Sequence, residues 1–271
     1  MKRLLRTALL LLTLTAPASA TPKIIVRPPG GDTPEQGLEA MQSALQEGAD
    51  ALWLTLQLSA DGRIVLCRPR AGKCQGQGRP LTLEAALRRF VRTPFYLDVR
   101  APQADPRRLG DDLLQVLVRT DSLKRARVYA ADARLLAALP LAVRRFEPPA
   151  RTRAALLKTT LSGRCLLSRR ATHPRWHAAP LRWQMTGTGG ASVPPAQAGM
   201  PWSRRAVACL QASGPSALIL TGVTSRRELA LAAFLGADGV RVDNLRWLKR
   251  PPGPARPGGI VPQVAGHRTL P

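Results

Sequence analysis

Short apolar segments alternate with amphipathic helical segments along most of this chain, beginning at Lys23. Such β-α alternation favours a parallel sheet whose strands are joined by helices. Residues 21–250 offer about 230 positions, which is about the length that a (β/α)8 barrel needs. We therefore predict an α/β fold with a parallel sheet and helical crossovers, formed as a single domain over residues 21–250.

The stretch from Gly48 to Arg70 has the most regular strand pattern in the chain. Leucines occupy every second position over 52–58, the period of two that predicts a strand with one apolar face. Asp61 and Gly62 then supply a turn, and residues 63–67 return as a second strand. The stretch therefore predicts a β-hairpin.

The other segments are assigned by the same criteria. Thr33 and Pro34 have the residue types of an N-cap and first helical position, so a helix is expected to begin there. Residues 172–200 carry Pro and Gly among scattered aromatic residues and predict a long loop. The further predicted strands are 23–26, 95–100, 126–130, 143–146, 164–167, 217–220 and one that ends the 236–243 segment. The further predicted helices are 83–90, 106–118, 133–139, 154–161, 204–212 and 226–235.

The Gly48–Arg70 stretch resembles the core signature of the glycerophosphodiester phosphodiesterase family, Gly-Ala-Asp-x-x-Glu-x-Asp-x-x-x-Thr-x-Asp-Gly-x-x-Val-x-x-His-Asp. Gly30-Gly31 followed by Pro34-Glu35 is similar to the family's opening motif, His-Arg-Gly-Gly and then Pro-Glu-Asn. Residues 236–243 resemble its last barrel strand. The resemblance runs from about residue 24 to 247, and it implies a TIM barrel with its site at the C-terminal ends of the strands.

The reactive groups of that family are largely replaced in this chain. The residues that stand where the family has its His, Arg, Glu, Asp, His and Asp are, in order, Pro28, Pro29, Trp53, Thr55, Arg68 and Pro69. Asp98 and Arg100 keep the charges of the family's metal-binding carboxylate and the basic residue after it. The resemblance implies a pair of His for acid/base work and carboxylates that hold a divalent cation, and most of both sets are absent here.

We therefore predict a barrel without catalytic residues, without a metal site and without a cofactor, which binds a phosphorylated or other anionic ligand. The resemblance implies a connection to lipid metabolism. The candidate ligand-binding residues are Arg27, Trp53, Arg68, Asp98, Arg100 and Arg241. Arginine offers a planar, permanently charged fork to phosphate, and Trp53 could add a flat wall for a sugar or glycerol face.

Two alternatives stay open at this point. The chain could be an active phosphoric diester hydrolase that recruits other residues, such as His173 or His177. It could instead bind nucleic acid or an envelope polyanion through surface arginines, because Lys and Arg number 41 against 17 Asp and Glu. Whether the chain is an enzyme is thus not decided by the sequence, which favours a binding role.

The first 20 residues have the pattern of a secretory signal peptide. Lys2, Arg3 and Arg6 precede a short apolar run, and Ala18-Ser19-Ala20 is typical of a cleavage site. We expect a mature chain that begins at Thr21, has no transmembrane segment and is exported to the periplasm, cell envelope or extracellular space. Residues 251–271 are rich in Pro and Gly and are predicted to be a disordered tail.

Four cysteines form an even set, which in an exported chain favours disulfides. No C-x-x-C spacing occurs, so a zinc site is not indicated. We predict Cys67–Cys74, because a short loop separates them. Cys165–Cys209 follows by exclusion.

Overall fold

The computed structural model describes residues 21–31, 33–67, 69–70, 73–74, 80–165, 174–183, 199–212 and 214–249. The strands are β1 Lys23–Val26, β2 Ala51–Leu58, β3 Ile64–Leu66, β4 Pro69–Arg70, β5 Lys73–Cys74, β6 Phe95–Val99, β7 Ala126–Ala130, β8 Arg175–Pro180, β9 Arg182–Trp183, β10 Met200–Pro201, β11 Ser216–Thr221 and β12 Gly239–Val242. The helices are α1 Pro34–Gln46, α2 Leu83–Arg89, α3 Pro106–Arg119, α4 Ala133–Ala138, α5 Pro149–Ser162, α6 Arg204–Ala212, α7 Arg226–Leu235 and α8 Arg246–Lys249.

Seven parallel strands form the barrel wall in the order β7-β6-β2-β1-β12-β11-β8. The eighth position is held by Arg145 and Phe146, which form single parallel bridges to β7 and β8 respectively. Three backbone hydrogen bonds of 2.7–2.9 Å connect this short segment to its two neighbours. The ring and its intervening helices are those of a (β/α)8 TIM barrel, so the predicted fold is confirmed.

Both faces of strand β2 are buried, which corrects the expectation of a single apolar face. Leu52, Leu54 and Leu56 pack outward against the helices, as predicted. Trp53 and Thr55, on the opposite face, are also no more than 5% exposed because they point into the closed barrel. The period of two correctly predicted a strand. In a barrel wall, however, one face of a strand packs against helices and the other points into the barrel, so neither face is exposed to solvent.

The barrel interior is filled by one aromatic cluster, separate from the larger core between strands and helices. Neighbouring ring centroids lie 5.3–6.4 Å apart, the spacing at which aromatic side chains attract one another. The rings belong to Trp53, Tyr96, Tyr129, Phe146 and Trp176. Because this cluster fills the centre, the interior is open only at its ends.

Helix ends follow the capping residues in the sequence. Thr33 accepts a hydrogen bond from the backbone N–H of Gln36 at 3.3 Å, and Pro34 occupies the first turn, as predicted. At α7, Ser225 caps the first turn and Gly236 ends the helix with φ 85°, a left-handed conformation that glycine adopts without strain. These caps place the starts of α1 and α7 just beyond the C-terminal ends of β1 and β11.

Two strand predictions were wrong. Residues 164 and 165 form no strand, and 166–167 lie outside the described residues. The barrel strand of this region is β8, which lies within the segment that we predicted to be a loop. Its sequence, Arg-Trp-His-Ala-Ala-Pro, lacks β-branched residues, and it is held by pairing with β11 in six consecutive registers. The predicted strand at 143–146 is reduced to the bridges of its last two residues.

The Cys165–Cys209 disulfide is confirmed, with a Cα–Cα distance of 5.5 Å. Cys67 is also disulfide-bonded. The side chain of Cys74 lies outside the described part of the chain, so its pairing with Cys67 stays a prediction. Residues 1–20 and 251–271, predicted to be leader and tail, lie outside it as well. Among the described residues, no helix has the length and apolar character needed to cross a membrane.

Candidate functional site

The C-terminal ends of the barrel strands converge on one mouth, and their register decides which side chains meet there. Thr55 of β2 is level with Asp98 of β6, which is level with Tyr129 of β7. On the other side of the barrel, Thr221 of β11 is level with Arg241 of β12. Alternating residues of a strand share a face, so these five side chains all point into the barrel, toward the C-terminal ends of their strands.

Two ion pairs occupy the carboxylates of this mouth. Arg27 follows β1 and donates to Asp243 at 2.7 Å, at the outer edge where both side chains are partly exposed. Arg100 donates to Asp98 through Nη2 at 3.1 Å and Nε at 3.2 Å. Asp98 is only 2% exposed, so it is the more strongly held of the two carboxylates.

Within the described residues, Arg241 has no such carboxylate partner. Its guanidinium carbon lies 5.3 Å from the centroid of the Trp53 ring, a cation–π distance. Its Nε is buried, and within the described residues nothing accepts a hydrogen bond from it. Burial lowers the pKa of Arg241, and the positive charge of Arg27 lowers it further, while Asp243 and Asp98 oppose the shift. A guanidinium stays charged despite such shifts, so an under-compensated positive charge lies in the mouth.

Trp53 forms the floor of the mouth. Its ring lies between Tyr129, Phe146 and Tyr96 and is covered by Arg241. At 1% exposure it is part of the barrel core, so it does not present the free flat wall that we expected. The indole N–H of Trp53 and the hydroxyl of Thr55 are buried, and in the described part of the chain neither has a hydrogen-bond partner. A ligand atom could form the hydrogen bond that each of these two groups lacks.

Two cavities open from this floor, and Trp53 lines both. The smaller is a recess of about 60 Å³ bordered by Tyr129, Arg153, Thr221 and Arg241. The larger, of about 510 Å³, extends between α1, β2 and β3 and has Arg27 and Asp243 at its rim. Sequence analysis did not identify Tyr129, Arg153 or Thr221. Tyr129 and Thr221 could have been found because each is an inward-facing polar residue at the C-terminal end of a strand.

Comparison with known proteins identifies this architecture. No family profile matches the chain. The uncharacterized protein Rv2277c of Mycobacterium tuberculosis is 26% identical over 259 residues, which cover 79% of this chain and 83% of that protein. The crystal structure of the glycerophosphoryl diester phosphodiesterase domain of Rv2277c superposes with a TM-score of 0.65 and 23% identity, over 82% of this chain and 96% of that one. A glycerophosphodiester phosphodiesterase from Agrobacterium tumefaciens superposes with a TM-score of 0.50 and 14% identity, over 82% and 94%.

The chain has the glycerophosphodiester phosphodiesterase fold. The predicted resemblance is therefore confirmed at the level of the fold.

Pro28 and Pro29 line the larger cavity, and neither carries a titratable group. Arg68 lies outside the described residues, so its position in the mouth stays a prediction.

A divalent cation does not fit the described side chains of this mouth. Hard cations need several oxygen ligands, mostly carboxylates. The one buried carboxylate, Asp98, is already paired with Arg100, and Arg241 adds positive charge. Among the described residues, no group of three or more His, Cys, Asp and Glu side chains could hold a metal ion.

His177, which we considered as a replacement acid/base residue, faces away from the mouth. Its neighbour on β8, Ala178, belongs to the interior cluster, so His177 points outward to α5. There its Nδ1 lies 3.1 Å from the hydroxyl of Thr152. Burial lowers its pKa to about 4. The prediction that His177 could serve the mouth is therefore wrong, and His173 lies outside the described residues.

Proposed function

We propose that this chain binds a phosphate-bearing anion at the barrel mouth and does not hydrolyse it. The observation that carries the proposal is Arg241, a largely buried guanidinium with no carboxylate partner in the described residues and an unsatisfied Nε. A buried charge that lacks a partner costs free energy, and a bound anion would remove that cost.

The recess beside Arg241 suits a compact tetrahedral anion. Arg241 and Arg153 supply charge, and the hydroxyls of Tyr129 and Thr221 supply neutral donors at its wall. Burial raises the pKa of Tyr129, with Asp98 adding to the shift, so its hydroxyl keeps its proton and remains a donor at neutral pH. The guanidinium charge would then replace the charge of the cation that the family resemblance implies.

Calorimetric titration tests the proposal. Glycerol 3-phosphate and sulfate are titrated into the protein in the presence of EDTA, and both are expected to bind. Replacement of Arg241 by Met should weaken binding at least about tenfold, because a hydrogen bond to a charged group contributes about 1.5–3 kcal/mol. Arg205→Met is the matched control, since Arg205 is an exposed residue of α6. Undiminished binding by Arg241→Met, or no binding of either anion at millimolar concentration, would refute the proposal.

Hydrolysis of glycerophosphodiesters should remain at background with either Ca²⁺ or Mg²⁺ present. General acid and base groups each contribute about 10²–10⁴-fold, and the described mouth holds no histidine to serve as either. Release of glycerol phosphate can be followed by a coupled assay. Turnover that disappears in Asp98→Ala would instead support the alternative of an active phosphoric diester hydrolase with non-standard residues.

We also propose that the protein is exported, because a signal-peptide pattern and a disulfide occur in the same chain. N-terminal sequencing of protein from its native host should begin at Thr21. A polyanion such as nucleic acid or an envelope polymer remains the second candidate partner. Binding to such a polymer would weaken steeply with salt and would not depend on Arg241 alone.

A further inference from the structure

The larger cavity differs in character from the recess beside it. Its inner wall is made of apolar side chains that are at most 7% exposed, although they border an open space of about 510 Å³. These are Met41, Leu54, Val65, Leu81 and Cys67. The volume lies within the range of about 300–1,000 Å³ that small-molecule sites occupy in proteins.

The prolines of the opening motif extend this apolar wall toward the mouth. Pro28 and Pro29 line the cavity at the positions where the related enzymes carry His and Arg. The polar lining residues Gln57 and Ser59 follow at the C-terminal end of β2, and so lie at the outer end of the cavity. A ligand inside it would contact this apolar wall with one part of its surface and polar side chains, among them Thr33, Thr55 and Asn244, with another.

The cavity and the recess share Trp53 as a lining residue, so one molecule can occupy both. We propose that the ligand is amphiphilic, with a phosphate head in the recess beside Arg241 and a hydrocarbon body in the larger cavity. This inference rests on the proposed function. A small polar ligand such as glycerol phosphate would leave the apolar wall in contact with water, whereas a hydrocarbon body covers it and releases that water.

A series of alkyl phosphates of increasing length tests this inference without any mutation. Methyl, butyl and hexyl phosphate are titrated as monomers in EDTA. Each buried methylene should increase affinity by up to about fourfold, so hexyl phosphate, with five more carbons, should bind up to about 1,000-fold more tightly than methyl phosphate. Equal affinities across the series would overturn the amphiphile and leave the anion site standing. No binding of any member would overturn both proposals.

A cavity-filling variant adds an independent measurement. Val65→Phe places a ring in the larger cavity away from Arg241 and should abolish the dependence on chain length while methyl phosphate still binds. Met41→Leu conserves volume and is the matched control, which should keep that dependence. An unchanged chain-length dependence in a folded Val65→Phe protein would contradict the assignment.

The phosphate amphiphile could be a lipid of a bilayer or a free molecule, and vesicles distinguish the two. Phosphatidylcholine vesicles with and without phosphatidate are sedimented with the protein. Retention only by the phosphatidate vesicles, lost in Arg241→Met, would support a membrane lipid as the source. Protein that sediments with neither kind of vesicle but still binds hexyl phosphate would support a soluble amphiphile as the source.

Discussion

Trp53 occupies the position of a family carboxylate, and we predict that it now contributes strongly to stability. Its ring contacts three other aromatic rings at centroid distances of 5.3–5.8 Å, and Arg241 lies over it. Replacement by Ala would empty the centre of the barrel interior, because Trp53 is 1% exposed and among the largest buried side chains.

The expected loss follows from the contacts. Removal of a buried Trp costs about 3–5 kcal/mol, and the lost aromatic contacts favour the upper part of that range. Most domains have an unfolding free energy of only about 5–15 kcal/mol, so Trp53→Ala should be near the limit of stability. Trp53→Phe should cost less, about 1–2 kcal/mol, because it keeps a ring and also removes an indole N–H that has no partner in the described residues.

Urea unfolding followed by far-UV circular dichroism measures both changes without relying on Trp fluorescence. Leu141→Ala is a suitable control, since Leu141 is 98% exposed and its loss should stay within about 0.5 kcal/mol. The reasoning is refuted if Trp53→Ala lowers the unfolding free energy by less than about 1 kcal/mol.

Three further predictions concern the scaffold. The Arg125 guanidinium donates to three backbone carbonyls and one hydroxyl at 2.7–3.1 Å, so Arg125→Lys should lower the unfolding free energy by about 2–4 kcal/mol in the same urea assay. The pKa of His177 is about 4 in the folded chain and about 6.5 when unfolded, so the unfolded state takes up a proton first as pH falls. Stability should therefore decrease by about 3 kcal/mol from pH 7 to pH 4, and urea titrations of His177→Gln should show a shallower decrease. Cys165→Ser removes the disulfide to Cys209, which has a sequence separation of 44, and should lower the unfolding free energy by about 2–4 kcal/mol. The thermal midpoint of the variant should be lower, and a reducing agent should lower it no further through this bond, which is already absent.

The sequence predicted the barrel because most of its strands and helices carry a local signal. Strand β2 alternates leucines, α1 has its cap, and the last strand keeps its glycines. Strand β8 escaped detection because Arg-Trp-His-Ala-Ala-Pro has neither alternation nor β-branched residues, and only its pairing with β11 makes it a strand. Its stability comes from contacts distant in sequence, which no window along the chain can reveal.

Part of the site was also predicted from local sequence pattern, and the rest was not, because it depends on contacts distant in sequence. Arg27, Asp98 and Arg241 were expected at the mouth from the ends of predicted strands, and the register places them there. Local pattern could not show that Asp98 and Asp243 are already paired or that Arg241 lacks such a partner. Nor could it show that Trp53 is only 1% exposed, because burial depends on closure of the whole ring.

The short segment between β7 and β8 has a consequence for how the barrel moves. Three backbone hydrogen bonds join this segment to its two neighbours, whereas β8 and β11 are in register over six residues and β2 and β6 over five. Side chains reinforce the closure, since Phe146 contacts Tyr129 on one side and Trp176 on the other. Transient opening at this segment therefore requires fewer bonds to break than separation of those longer strand pairs. Water that reaches the aromatic interior during such breathing enters from the side, without passing the mouth where a ligand would bind.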